Sequence, residues 1–165
     1  MTAACRESCC SVTPRFTVAE LFERGYRRGR AAPFDIEGDA VTDAEGNSAR
    51  FSIALDGTRL AEIRFRTSSC TTLIAYGEAL AELLPGLDAG LAAQFTPVEL
   101  VAALPGVPSL KQNRAVLAVA AFRAALLVAD KVSHTLETAP IELNHHSARP
   151  RESGDPEAGL PLARE

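Results

Sequence analysis

Ile63-Arg64-Phe65-Arg66-Thr67-Ser68-Ser69-Cys70-Thr71-Thr72-Leu73-Ile74-Ala75 is the stretch on which the fold turns. Ile63 and Phe65 alternate with Arg64 and Arg66, the period of a strand with one buried face, and Thr67-Ser68-Ser69 ends the alternation. From Cys70 the spacing becomes helical: Leu73, Ile74, Leu80, Leu83 and Leu84 supply a buried stripe as far as about Leu84, where Pro85-Gly86 halts the helix. A cysteine at such a junction has first-turn N–H groups close to its sulfur and a helix dipole that favours a thiolate. Cys70 is therefore a candidate nucleophile or ligand. The alternative is that a free cysteine packs as a small hydrophobe.

Upstream lies the other half of a hairpin. Phe51, Ile53 and Leu55 alternate, Asp56-Gly57 is a two-residue turn signal, and Leu60, Ile63 and Phe65 resume with alternation that is imperfect near Ala61. Phe34 to Val41 predicts a weaker first strand, and Asp43-Ala44-Glu45-Gly46-Asn47 reads as a turn. Thr17 followed by Glu20 is a capping box opening a helix with Val18, Leu21, Phe22 and Tyr26 at helical spacing, stopped by Gly29. Downstream, a short helical piece is predicted over Leu87 to Gln94. Thr96-Pro97 with Glu99 starts another, ended by Pro105, Gly106 and Pro108. A long final helix is predicted from Ser109 to about His134 on the spacing of Leu110, Val116, Leu117, Ala120, Ala121, Ala124, Leu127 and Val128. The order predicts an α+β fold: a small antiparallel three-stranded meander packed by four to five helices. Residues 1–15 read as a flexible cysteine-containing lead-in, 16–135 as the domain, and 136–165, rich in proline and charge, as a disordered tail.

A chain of 165 residues, 47% apolar and without Trp, must build one core from Ala, Leu, Val and Ile. Its net charge of −4 gives no general attraction to nucleic acid or anionic lipid. Arg24, Arg27, Arg28 and Arg30, interspersed with Glu20 and Glu23, read as a solvated helix face. The longest apolar run, Ala115 to Ala129, is broken by Arg123 and is too short to span a bilayer. The first ten residues lack an apolar core of a secretion signal, so a cytoplasmic location is expected, with cysteines reduced. No phosphate loop, HExxH, G-x-S-x-G or CxxC pair occurs, and no enzymatic activity is expected. His145-His146 lack a third ligand nearby and read as tail residues.

The opening stretch resembles the strand-to-helix segment of the iron–sulfur cluster assembly scaffold family, IscU and the amino-terminal domain of NifU. There a Phe-Lys-Thr-like strand end runs into Gly-Cys-Gly and an Ala-Ser-Ser-Ser helix start. Leu104-Pro105 and Lys111-Gln112-Asn113-Arg114-Ala115-Val116-Leu117-Ala118 resemble the family's Leu-Pro-Pro and Lys-x-His-Cys-Ser-x-Leu-Ala. The likeness runs from roughly Thr17 to Ala129. It implies a scaffold on which iron and persulfide-derived sulfur are assembled into a [2Fe–2S] unit held by three cysteines, served by a cysteine desulfurase and other cluster-assembly proteins.

Only one of those cysteines, Cys70, is kept. Glu45-Gly46-Asn47 stands where the family's Cys-Gly-Asp falls, Asn113-Arg114 stands where its His-Cys falls, and Tyr76-Gly77-Glu78 replaces its small polar helix start. The resemblance thus implies a site of Cys70, as metal ligand or sulfur acceptor, with Glu45, Asn47, Lys111, Asn113 and Arg114 around it. The first of three readings is the expected function, and the other two are its alternatives. The first is a divergent scaffold binding iron, zinc or a transient [2Fe–2S] cluster at Cys70, with Cys5, Cys9 and Cys10 as further thiols on a flexible arm. The others are a sulfur acceptor for a desulfurase and an interaction module that has lost cluster binding.

Overall fold

Thr17 opens the first helix as its capping box predicts: its hydroxyl accepts from Glu20 N–H at 3.2 Å, and its own N–H donates to Glu20 at 2.8 Å. This helix, α1, spans Val18–Arg28. The computed structural model describes residues 16–29 and 31–137. The expectations for Cys5, Cys9, Cys10, Arg30, His145 and His146, and for the tail, lie outside the described residues.

The predicted hairpin forms from β3 (Ser48–Asp56) and β4 (Arg59–Thr67), with Phe51 opposite Phe65 and Ile53 opposite Ile63. Leu55 pairs with Leu60 while Ala54 pairs with Glu62, so Ala61 is the extra residue of a bulge and the reason the alternation falters there. The expected first strand differs. Phe34 to Val41 forms two short strands, β1 (Ile36–Glu37) and β2 (Val41–Thr42), both antiparallel to β3, so the sheet has four strands rather than three. The break falls at Gly38, where a Cβ would stand 2.4 Å from the Ala125 backbone N of the last helix. That helix presses against the edge of the sheet, and the strand gives way to it.

Cys70 ends the β4 excursion and α2 (Thr71–Leu83) follows. Next come α3 (Ala89–Ala92), shorter than the predicted Leu87 to Gln94, and α4 (Pro97–Ala103) behind a second capping box of Thr96 and Glu99. The expected final helix from Ser109 is also corrected: Ser109–Lys111 is a 3-10 turn, and α5 begins at Arg114 and runs to Glu137. Its phase differs from the reading too. Leu110, Val116 and Leu127 face solvent, and Ala115, Ala118, Phe122 and Ala125 are buried. The helix is apolar nearly all round, so periodicity could not choose the face, and contact with β3 chose it.

The core therefore lies between the sheet and α2 with α5. Phe51 packs at 5.7 Å from Phe65 and 6.0 Å, edge-on, from Phe122. Nearly all of α2 is buried, including Tyr76, Gly77 and Glu78. Gly77 is there because the Phe65 ring occupies the space a Cβ would need, 2.7 Å away. Glu78, 1% exposed, receives Arg28 at 2.7 and 3.0 Å, and Glu82 takes the same guanidinium at 3.1 Å. The expectation of a solvated arginine face thus fails at Arg28, which clamps α1 onto α2. No described helix is long and apolar enough to cross a membrane.

Candidate functional site

Cys70 caps α2 in an extended conformation, φ −104° and ψ 112°, with no side-chain hydrogen bond to the first turn. A tight junction places it there: Cys70 N–H donates to Ser68 O at 2.6 Å, and Ser68 exchanges hydrogen bonds with Ser48 across the sheet end. Its side chain is half-buried, packed on the core from one side. The first-turn amides of α2 lack intrahelical acceptors, as at any helix start, and a thiol serves them poorly.

Beside this junction is the turn between β2 and β3. The Asp43 carboxylate accepts from the backbone N–H of Glu45 and of Asn47, both at 2.9 Å, and from the Asn47 amide at 3.1 Å, while Gly46 takes φ +81°. The self-contained turn fixes where Glu45 points.

Arg114, the first residue of α5, reaches into that turn and is 2% exposed. Its Nη1 donates to Asp43 Oδ2 at 2.7 Å and to Glu45 Oε1 at 3.2 Å, and its Nη2 to Glu45 Oε2. Asn113 adds its amide to Glu45 Oε1 at 3.4 Å. Hydrogen bonds from Arg114 hold the Glu45 carboxyl below its ordinary value against the effect of burial. Burial pushes Asp43 upward, but the Asn47 and Glu45 donors and the Arg114 charge outweigh it, and it too lies low. The Arg114 guanidinium is raised, chiefly by hydrogen bonding to Glu45, with burial opposing; Asp43 and then Cys70 contribute further. Arg114 Nε is buried and has no acceptor.

Of the residues the sequence pointed to, Glu45, Asn113 and Arg114 converge and Asn47 joins through Asp43, while Cys70 lies at the neighbouring sheet end, two residues past the Ser68 that pairs with Ser48. Lys111 does not join. It sits exposed on the 3-10 turn, its backbone N–H donating to Pro108 O at 2.8 Å and its side chain reaching none of these residues. Asp43 was missed as a site residue, since the reading treated it only as part of a turn. Its signal was an aspartate two and four residues before backbone N–H groups that it could bind. A cleft of about 580 Å³ between the β3–β4 hairpin, α3 and α5 lies at the other end of the sheet, and its Arg123 is committed to the carbonyls of Ala93 and Phe95.

The residues present do not fit a [2Fe–2S] cluster, whose irons are commonly held by four cysteine thiolates. Among the described residues there is one thiol, and the two carboxylates are engaged by a guanidinium that cannot coordinate metal. Among the described residues no group of three or more His, Cys, Asp or Glu is placed to hold a metal ion.

The model of the NifU-like N terminal domain family matches residues 15–133. The nitrogen fixation protein NifU of Cereibacter sphaeroides is 33% identical over 107 residues, which is 65% of this chain and 44% of that protein. The bifunctional protein NifU/MnmA of Rubrobacter xylanophilus is 39% identical over 90 residues, 53% of this chain and 18% of that protein. The chain thus matches less than half the length of either relative. A crystal structure of a NifU-like N-terminal protein from Brucella abortus shares the fold, with a TM-score of 0.55 at 13% identity over 69% of this chain and 92% of that one. With its sheet, its helices and the Cys70 junction in the places that family model matches, this chain belongs to the NifU-like N-terminal domain family, the scaffold family of iron–sulfur cluster assembly.

Proposed function

We propose that this chain works within iron–sulfur cluster assembly as a member of its family that accepts sulfur on Cys70 rather than holding a cluster. The observation that supports this reading is the Arg114–Glu45 pair. The two positions that the sequence resemblance matches to the missing cysteines bind each other, while Cys70 stays half-exposed beside them.

Sulfur acceptance needs one thiol and no metal. The Cys70 thiolate attacks the terminal sulfur of a persulfide on a cysteine desulfurase. A bond forms from Cys70 Sγ to that sulfur, the donor's S–S bond breaks, and its electron pair leaves with the donor thiolate. The sulfur arrives already at the oxidation level of a persulfide, so no further oxidant is consumed, and the proton lost by Cys70 goes to solvent or to the leaving thiolate. In this reading the ordered turn and α5 start shape the approach to Cys70.

The test is incubation of the full chain with a cysteine desulfurase and cysteine, followed by peptide-resolved mass spectrometry. One extra sulfur atom on the Cys70 peptide, absent from a Cys70→Ser variant, is expected. A Cys70 peptide that gains no sulfur counts against the proposal.

A further inference from the structure

On the outer face of the sheet, the last rung of the hairpin before Cys70 sets two arginines against each other. Arg50 of β3 lies directly opposite Arg66 of β4, a position in which like charges repel. The other arginines of the hairpin have an answering acid: Arg59 stands opposite Asp56, and Arg64 donates to Glu62 at 3.0 Å. Arg50 reaches Glu37 only at 3.4 Å, with 44% of its side chain exposed. Arg66, also exposed, meets no carboxylate among the described residues. Two clefts flank it. One, of about 280 Å³, is lined by Ser48, Thr67 and Ser68 together with both arginines. The other, of about 320 Å³, lies between residues 65–67 and the end of α1, where Tyr26 is 53% exposed. Leu87 and Gly86 hydrogen-bond to the outer edge of β4 at Leu60, near the hairpin turn; among the described residues, β3 is the one strand that pairs with β4.

We infer that this face, centred on Arg66, docks an acidic segment of a partner protein, with a carboxylate between Arg50 and Arg66 and the neighbouring side chains in the two clefts, whatever chemistry Cys70 carries. Charge decides the occupant. A second copy of this chain, set symmetrically, would bring its own two arginines to the same place and be repelled. Nucleic acid asks for a run of cations, whereas Glu37 and Glu62 flank this pair on a chain of net charge −4. A free anion would meet the guanidiniums in open water, where such pairing is weak. A protein segment covers Arg66 and the Tyr26 side together and excludes water as the carboxylate binds, and arginine and tyrosine are the residues that such contacts favour. The repulsion that Arg50 and Arg66 bring to the folded chain is thereby relieved in the complex.

The probe is a fluorescein-labelled decapeptide of alternating glutamate and valine, titrated with the full chain and read by fluorescence anisotropy. We expect it to bind the parent chain and to be released at high sodium chloride, as the charges are screened. Arg66→Glu should bind it at least about tenfold more weakly, the scale of one hydrogen bond between charged groups, with Arg66→Gln in between. Lys131→Glu, the same change of charge at an exposed site on α5, should bind like the parent. Urea denaturation accompanies each variant. Arg66→Glu should unfold at a higher urea concentration than the parent, because it turns a like-charged rung into an ion pair with Arg50, so that lost binding is not lost fold. A parent chain that does not bind the peptide, equal affinity in parent and Arg66→Glu, or an equal loss in Lys131→Glu would overturn the docking face. Three further results would overturn the choice of occupant. These are displacement of the peptide by equimolar inorganic phosphate, equally tight binding of a single-stranded thymidine decamer with the same dependence on Arg66, and a dimer in sedimentation that Arg66→Glu abolishes.

Discussion

Arg114 is the residue on which most of the local structure depends, because one guanidinium joins the β2–β3 turn to the start of α5. The sequence resemblance singles out both Arg114 and Glu45 as candidate site residues; that the two would bind each other was not legible in it. Two positions 69 residues apart meet only after the sheet and α5 have packed, and no local pattern records that. Asp43 was hidden for the same reason, since the turn that sequence could foresee gives no hint of the cation above it. The charges predict a pH dependence. Glu45 and Asp43 both lie below their ordinary values, 4.5 and 3.8, so the stability they contribute is complete above about pH 4.5 and is lost as pH falls through their lower folded-state values. In urea titrations we expect the parent chain to lose stability on acidification below pH 4.5 more steeply than Glu45→Gln. Parallel slopes for the two proteins would contradict the pairing.

At the scale of elements, helix starts were the most readable features. Thr17 with Glu20 and Thr96 with Glu99 both form the boxes their spacing announces, because a cap is a contact within four residues of chain. The face of α5 and the fate of Arg28 were unreadable, because both depend on a partner far away in sequence. Glu78 lies 50 residues from Arg28 and is buried on an otherwise apolar helix. Removing Arg28 leaves that carboxylate without its cation, so Arg28→Met should cost about 2–3 kcal/mol, less than a fully buried pair because the arginine keeps 26% of its side chain exposed. Adding Glu78→Leu should recover much of the loss, a positive coupling that a double-mutant cycle in urea measures directly. Gly77 makes a second test of how α2 lies on the sheet. With Phe65 at 2.7 Å from its would-be Cβ, Gly77→Ala should destabilise by about 1–3 kcal/mol, the range for overpacking, despite alanine's better helix propensity. A stabilised variant would mean that α2 and β4 are further apart.

The whole molecule is organised by one aromatic contact line, Phe65–Phe51–Phe122, running from β4 through β3 to α5. With no Trp in the chain and 5% aromatic residues, these rings carry a large share of the core's shape. Phe51, wholly buried at the centre, should be the costliest single truncation: Phe51→Ala is expected to lose about 3–5 kcal/mol in chemical denaturation. The α+β plan and the strand-to-helix junction were visible in the sequence because alternation and helical spacing switch within a few residues at Cys70. The split of the first strand was not, since it follows from α5 pressing on Gly38.

At the same scale a family fold is kept, and an internal ion pair joins the turn before β3 to the start of α5. The most direct test is anaerobic incubation of the full chain with iron, cysteine and a cysteine desulfurase, reading iron content, the visible absorption spectrum and sulfur on the Cys70 peptide from one sample. We expect sulfur on Cys70 with no visible cluster absorption and no iron retained through that residue. A coloured, iron-bearing protein whose colour is lost in Cys70→Ser would contradict the sulfur-acceptor reading.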